Sequence, residues 1–109
     1  MVKKGAKTRK IVEGVKQFKE KSKKEFGVDK IIMFGSAASG KMNRHSDIDL
    51  IIVSKKFSKK SFFKRPLGLR KFWSLDYPVD FLCYSPEEFE REKKRVSIVS
   101  EAIREGIEI

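Results

Sequence analysis

The sequence is poor in the residues that build disulfides and zinc sites. Among its 109 residues, Cys83 is the only cysteine, and a single histidine is present. An intrachain disulfide is therefore impossible, and no cysteine-rich metal site can form. Side-chain amides are scarce too, since Gln17 and Asn43 are the only two. Few amides beside many lysines and glutamates are typical of proteins from hot environments.

Long apolar runs are also missing. The continuous hydrophobic stretches are only a few residues long, whereas a membrane-spanning helix needs about 20 residues. No apolar run follows the basic N-terminus, so the sequence does not begin like a signal peptide. We expect a cytoplasmic protein without membrane contact. We also expect a single domain over residues 1–109, in which residues 1–7 form a flexible basic N-terminus.

Positive charge is abundant and unevenly distributed. A total of 26 Lys and Arg against 15 Asp and Glu gives a formal net charge of +11. Residues 55–75 contain eight of the basic residues and no acidic one, whereas residues 76–109 are net acidic. The basic run predicts one of three things: a solvated surface, a face that attracts the phosphates of RNA or a nucleotide, or a surface for an acidic partner protein.

The spacing of apolar residues predicts a small domain of helices and strands. An amphipathic pattern indicates a helix over residues 8–26, and a capping box at Ser85 and Glu88 begins another. Three short stretches rich in β-branched or aromatic residues are predicted strands, at 30–34, 48–53 and 79–84. The final helix is indicated by an apolar stripe of Val96, Val99, Ala102 and Ile103. This alternation favours an α/β or α+β fold.

Two aspartates enter the second predicted strand, where packing gives no reason for charge. Asp47 and Asp49 are two positions apart, so both side chains point to one face of the strand. At a separation of about 4 Å such charges repel by roughly 4 kcal/mol at an effective dielectric of 20. Asp80 lies near the start of the third predicted strand, and its carboxylate joins those of Asp47 and Asp49 if the second and third strands are neighbours. Strand-end aspartates can also simply cap turns, but three carboxylates suit Mg²⁺ or Mn²⁺ and can hold two ions for phosphoryl displacement.

Small residues follow the first predicted strand. Gly35 allows a ligand to approach the backbone closely, and Ser36 can donate its hydroxyl and amide hydrogens to a phosphate. A Gly-Ser turn alone is a weak signal. Its position ahead of the aspartates makes it a candidate phosphate site.

Gly35-Ser36, ten further residues, and then Asp47-Ile48-Asp49 before an apolar strand resemble the signature of the DNA polymerase β-like nucleotidyltransferase superfamily. The chain looks most like its minimal nucleotidyltransferases, over roughly residues 8–109. The resemblance implies the α+β nucleotidyltransferase fold, with a short mixed sheet of three to four strands and about four to five helices.

The resemblance also implies roles for individual residues. Gly35 and Ser36 would hold the triphosphate of ATP or another nucleoside triphosphate. Asp47, Asp49 and Asp80 would bind Mg²⁺ or Mn²⁺ as the catalytic carboxylates, and Asp80 would also act as the general base.

One position departs from the family pattern. Many relatives carry arginine directly after Gly-Ser, where this chain has Ala37. Lys41 and Arg44 are therefore the candidates for supplying positive charge to the phosphates.

Minimal nucleotidyltransferases are typically paired with a HEPN-type toxin. The resemblance therefore implies an antitoxin that transfers AMP from ATP to a tyrosine of that toxin. One alternative is a non-catalytic module that neutralises a partner by binding alone. Another is nucleotidyl transfer to RNA or to a small molecule, with RNA contacting the basic run 55–75.

Overall fold

The computed structural model describes residues 5–43 and 45–109. In that part of the chain the helices are α1 (Ala6–Phe26), α2 (Ser36–Ser39), α3 (Pro86–Lys93) and α4 (Ile98–Glu105). The strands are β1 (Val28–Phe34), β2 (Ile48–Ser54), β3 (Val79–Tyr84) and β4 (Ile107–Glu108). The connection between β2 and β3 contains short 3₁₀ turns at Lys55–Lys59, Phe62–Lys64 and Leu69–Phe72. We call residues 55–78 the crossover.

The strands form one mixed sheet in the order β3-β2-β1-β4. β1 is antiparallel to both β2 and β4, whereas β2 and β3 run parallel. Parallel neighbours need a long connection, and the crossover provides it. The predicted mixed sheet of three to four strands is therefore confirmed.

Apolar side chains project from both faces of the sheet, so the core has two layers, one on each face. One face packs against α1 and the crossover, through residues that include Val15, Phe18, Leu50, Phe57 and Leu69. The opposite face packs against α3 and α4, through residues that include Ile32, Ile51, Val53, Phe89 and Val99. The central strand β2 supplies both layers, and its residues Leu50–Ser54 are all buried.

Several predicted helix ends are also confirmed. Gly27 ends α1 in the left-handed conformation, with φ of 59°, and its N–H donates to the Lys23 carbonyl. Ser85 and Glu88 form the predicted capping box at the start of α3. At its other end α1 begins at Ala6, two residues before the predicted start, so the helix includes the last part of the predicted flexible N-terminus.

The predicted apolar stripe of the last helix is wrong in part. Val96 lies in the connection between α3 and α4 and is fully exposed, and Ile103 is 43% exposed. Only Val99 and Ala102 of that stripe are buried. The reason is a second capping box at Ser97, which starts a new helix and so resets the helical phase.

A buried ion pair anchors the crossover to the rest of the molecule. Arg65 is only 5% exposed, although it belongs to the basic run. Its guanidinium donates to both carboxylate oxygens of Glu88 and to the carbonyl oxygens of Lys60 and Cys83. A buried charge needs such partners, because losing one leaves the other uncompensated. The ion pair therefore stabilises a segment that has little regular secondary structure of its own.

Replacing Glu88 by glutamine tests this anchor. Glu88→Gln leaves the Arg65 guanidinium without a counter-charge, so we expect the free energy of unfolding to fall by about 3 kcal/mol. Hydrogen bonds from Arg65 lower the pKa of Glu88 from 4.5 to about 2. The stabilisation is thus complete above pH 4.5 and is lost as the pH falls toward 2. Urea denaturation of the wild type and the variant across this pH range measures both effects.

Glu90, in the same helix, provides the matched control. Its carboxylate lies 3.0 Å from the Lys93 ammonium at the surface, where water screens the interaction. Glu90→Gln should leave the free energy of unfolding nearly unchanged. Equal losses for the two variants would show that the Arg65–Glu88 pair is no anchor.

Candidate active site

The sheet brings the predicted aspartates to one end of two neighbouring strands. Asp49 of β2 lies in register with Asp80 of β3, and on its other side it pairs with Phe34 at the end of β1. The Ile48 N–H donates to the Pro78 carbonyl at 2.8 Å, which joins the beginnings of the two strands. Asp47 directly precedes β2. All three aspartates therefore lie at the same end of the sheet, where β2 and β3 begin.

Asp49 and Asp80 share the face of the sheet that packs against α3 and α4. Strand alternation places Asp49 on the same side as Ile51, and Asp80 on the same side as Leu82, and both apolar residues belong to the layer beneath those helices. At the end of the sheet that carries the aspartates, this face is no longer packed beneath α3 and α4. Asp80 and Asp47 are exposed, and Asp49 is half-buried. The carboxylates thus open to solvent beside a packed core.

Electrostatic repulsion links the three carboxylates. Burial raises the pKa of Asp49, and the negative charges of Asp80 and Asp47 raise it further. In residues 5–43 and 45–109, no lysine or arginine forms a salt bridge with any of the three. The cluster is therefore a local excess of negative charge in a strongly basic protein.

The donor set fits a hard divalent cation, although it does not form a closed cage. Within the described part of the chain, no three Asp, Glu, His or Cys side chains are grouped closely enough to make a ready-formed metal site. Carboxylate oxygens without cationic partners are nevertheless the ligands that Mg²⁺ and Mn²⁺ prefer. A cation among them would also relieve the repulsion that raises the pKa of Asp49.

The turn after β1 lies directly against Asp49. Gly35 has φ of 72° and ψ of −151°, a region open essentially only to glycine. A Cβ atom at this position would lie 2.6 Å from the Oδ2 atom of Asp49. Ser36, half-buried, then begins the short helix α2. The Gly-Ser turn and Asp49 are therefore adjacent in space.

Comparison with known proteins agrees with this geometry. The family described as "Nucleotidyltransferase domain" matches residues 15–107. The chain belongs to that family. Its fold also resembles the crystal structure of a candidate nucleotidyltransferase from Sulfolobus solfataricus, with a TM-score of 0.61 and 24% identity over 78% of this chain and 76% of that one. A search of curated proteins found no significant match.

Membership establishes the general fold and activity. The mixed sheet with its surrounding helices is the α+β nucleotidyltransferase fold, and nucleotidyl transfer is the activity of the family.

No helix in residues 5–43 and 45–109 combines the length and the hydrophobicity needed to traverse a lipid bilayer.

The structure explains the missing arginine of this nucleotidyltransferase only in part. Ala37 is 1% exposed and packs into the core, so an arginine side chain does not fit in its place without rearrangement. Lys41 follows α2 with an exposed side chain and makes no salt bridge to the aspartates. Arg44, the other predicted source of charge, lies outside the described residues.

A different arginine, which the sequence did not single out, lies beside Asp80. The Arg70 guanidinium is 3.5 Å from the Val79 carbonyl oxygen, and both residues line a cleft with Asp80. The only sequence signal for Arg70 was its membership in the basic run. Its position depends on the packing of the crossover against β3, a contact between segments that local patterns in the sequence do not show.

A double-mutant cycle separates the two reasons for glycine at position 35. Gly35→Ala should cost about 1–3 kcal/mol of stability through backbone strain, and more because the new methyl group collides with Asp49. In an Asp49→Ala background the collision disappears, so only the strain remains. We expect a coupling energy of about 1 kcal/mol between the two positions, measured by urea denaturation of the four proteins.

Gly40→Ala serves as the control for strain without collision. Gly40 also has a positive φ, of 79°, but a Cβ atom there would come no closer than 3.8 Å to its nearest neighbour, the Thr8 hydroxyl. The loss of stability caused by Gly40→Ala should be the same whether position 49 carries aspartate or alanine. If Gly35→Ala behaves in the same way, the close packing of Gly35 on Asp49 is refuted.

Proposed function

We propose that this chain is a Mg²⁺-dependent enzyme that transfers AMP from ATP to a hydroxyl group of an acceptor. The observation that carries the proposal is the register of Asp49 with Asp80, beside the Gly35 turn. Two carboxylates on adjacent strands and a Gly-Ser turn that packs directly against one of them supply the two halves of such a site. Asp47 adds the third carboxylate.

Each residue has a separate task in the proposed reaction. Gly35 and Ser36 bind the triphosphate through backbone and hydroxyl hydrogens. Asp47, Asp49 and Asp80 hold the divalent ion, which when bound neutralises charge on the phosphates. The acceptor oxygen forms a bond to the α-phosphorus, the bond from that phosphorus to the β-phosphate oxygen breaks, and pyrophosphate leaves. Asp80, an exposed aspartate that borders the cleft, takes the hydroxyl proton.

The proposed acceptor is a tyrosine of a HEPN-type toxin, which makes this protein the antitoxin of a cytoplasmic toxin–antitoxin pair. This part of the proposal rests on the resemblance to minimal nucleotidyltransferases.

One observation favours a second candidate, a module that neutralises its partner by binding alone. Ala37 stands where many relatives carry an arginine and is buried, so this position supplies no positive charge to a nucleotide. The three aspartates argue for chemistry, because nothing in the packing requires them.

Removing one carboxylate charge distinguishes the two candidates. Asp49→Asn should reduce AMP transfer at least about a hundredfold, because a charge that organises the phosphates is lost. The same change should leave stability equal or higher, since asparagine removes a repulsion and a partly buried charge. The assay is transfer of label from α-labelled ATP, with Mg²⁺, to the product of the neighbouring gene as the expected HEPN-type partner, with urea denaturation in parallel.

Asp29→Asn is the matched control, because Asp29 is an exposed aspartate elsewhere on the sheet, in β1. It should keep full transfer. No transfer by the wild type, together with no metal-dependent ATP binding, would refute the enzyme and leave the binding module. Transfer that survives Asp49→Asn would refute the proposed site.

A further inference from the structure

The free edge of β3 carries a cleft that the nucleotide chemistry does not use. β3 is the outer strand of the sheet on this side. The cleft has a volume of about 340 Å³ and lies between the end of β3 that carries Asp80 and the crossover segment that contains Leu67 and Arg70. Because Asp80 belongs both to the aspartate cluster and to the cleft wall, a group bound in the cleft would be next to the proposed general base.

The lining of this cleft is mainly apolar. Pro66, Leu67, Val79 and Phe81 supply carbon surface, and within residues 5–43 and 45–109 the charged residues of the lining are Asp80 and Arg70. A ribose or a sugar acceptor needs several hydrogen-bonding groups to hold its hydroxyls. A flat aromatic ring that carries one hydroxyl matches a cleft that has apolar walls and borders Asp80.

The strand edge itself offers a backbone acceptor. Arg70 lies by the Val79 carbonyl, and Arg65 donates to the Cys83 carbonyl, so both of these carbonyls point to the free edge. Carbonyl directions alternate along a strand, which turns the Phe81 carbonyl between them the same way. A peptide N–H can donate to such an oxygen.

Exposed apolar side chains continue from the cleft along the crossover. Leu67, which lines the cleft, is 66% exposed, and Phe63 is 87% exposed. They are not on a loose loop. The neighbouring Phe62 packs edge-on against Tyr84, with 6.2 Å between the ring centroids, and Arg65 is buried against Glu88. Large apolar groups held out into solvent on an anchored segment are typical of protein interaction sites.

The basic run has less free charge than its sequence suggests. Arg65 and Lys71 form salt bridges, Lys56 donates to a backbone carbonyl, and Lys60 lies over the Phe26 ring. The lysines of the run that have none of these contacts in the described residues are Lys55, Lys59 and Lys64. Within the described part of the chain, salt bridges compensate only Arg65 and Lys71 of the run, and the remaining positive charge beside the exposed Phe63 and Leu67 suits a segment of a partner protein that carries both acidic and apolar residues.

We propose that this cleft and the adjoining Phe63 and Leu67 form the acceptor-docking site. Its occupant is an acidic segment of a partner protein that lies along the β3 edge and presents a tyrosine hydroxyl to Asp80. The inference rests on the proposed function for the role of that hydroxyl, but the docking itself requires neither nucleotide nor metal.

The test measures binding of a synthetic probe without ATP. The probe is a fluorescein-labelled peptide with one central tyrosine flanked by leucines and glutamates, and anisotropy reports its affinity. Phe63→Ser with Leu67→Ser should weaken binding at least about tenfold, since central apolar contacts dominate such interfaces. The matched control is Val96→Ser with Ile98→Ser, which removes exposed apolar groups elsewhere and should change affinity less than about twofold.

Further probes identify the class of partner. A peptide with lysines in place of the glutamates should bind at least about tenfold more weakly, and a labelled oligouridine should not displace the acidic peptide. No saturable binding of the acidic peptide, equal loss in both double variants, or displacement by oligouridine would overturn the proposal.

Transfer and binding then separate the two hypotheses. If the peptide binds but is never labelled by ATP and Mg²⁺, the docking site stands and the proposed function fails. If the HEPN-type partner is labelled equally well by the wild type and by the Phe63→Ser, Leu67→Ser double variant, the proposed function stands and the docking site fails.

Discussion

The parallel pairing of β2 with β3 is the constraint on which the candidate site depends. It places Asp49 opposite Asp80, two residues that are distant in the sequence. Parallel pairing also demands a long connection, and in this protein that connection is the crossover, which contains the basic run and forms one wall of the cleft beside Asp80. A single feature of the topology therefore produces both the carboxylate cluster and the surface next to it.

Charge inside the crossover replaces the regular hydrogen bonding that it lacks. Short 3₁₀ turns satisfy few of their own backbone groups, and Arg65 instead donates to two backbone carbonyls and to Glu88. Removing such a charge from water costs several kcal/mol, which only complete pairing offsets. Part of the positive charge of this protein is thus structural, and net charge alone overstates its attraction for phosphates.

Local signals in the sequence predicted most of the fold, because they act within a few residues. Gly27 ends a helix by its own conformation, and the box of Ser85 and Glu88 closes within one turn. Val96 was placed wrongly because hydrophobic spacing does not show where a new cap resets the helical phase. The burial of Arg65 and the position of Arg70 depend on contacts between distant segments. No periodicity or motif encodes those contacts.

The aspartates could be singled out because they contradict their surroundings. Leu50 and the rest of β2 after Asp49 are buried, and in the part of the chain that the structure describes no salt bridge compensates the charge of Asp49. The buried strand holds Asp49 in place, whereas free carboxylates would move apart to reduce their repulsion. The scaffold therefore maintains an unfavourable cluster of negative charge at a fixed position. Maintained repulsion of this kind favours binding of positive charge, and the hydrophobic burial on both faces of β2 supplies the stability that makes the cluster tolerable.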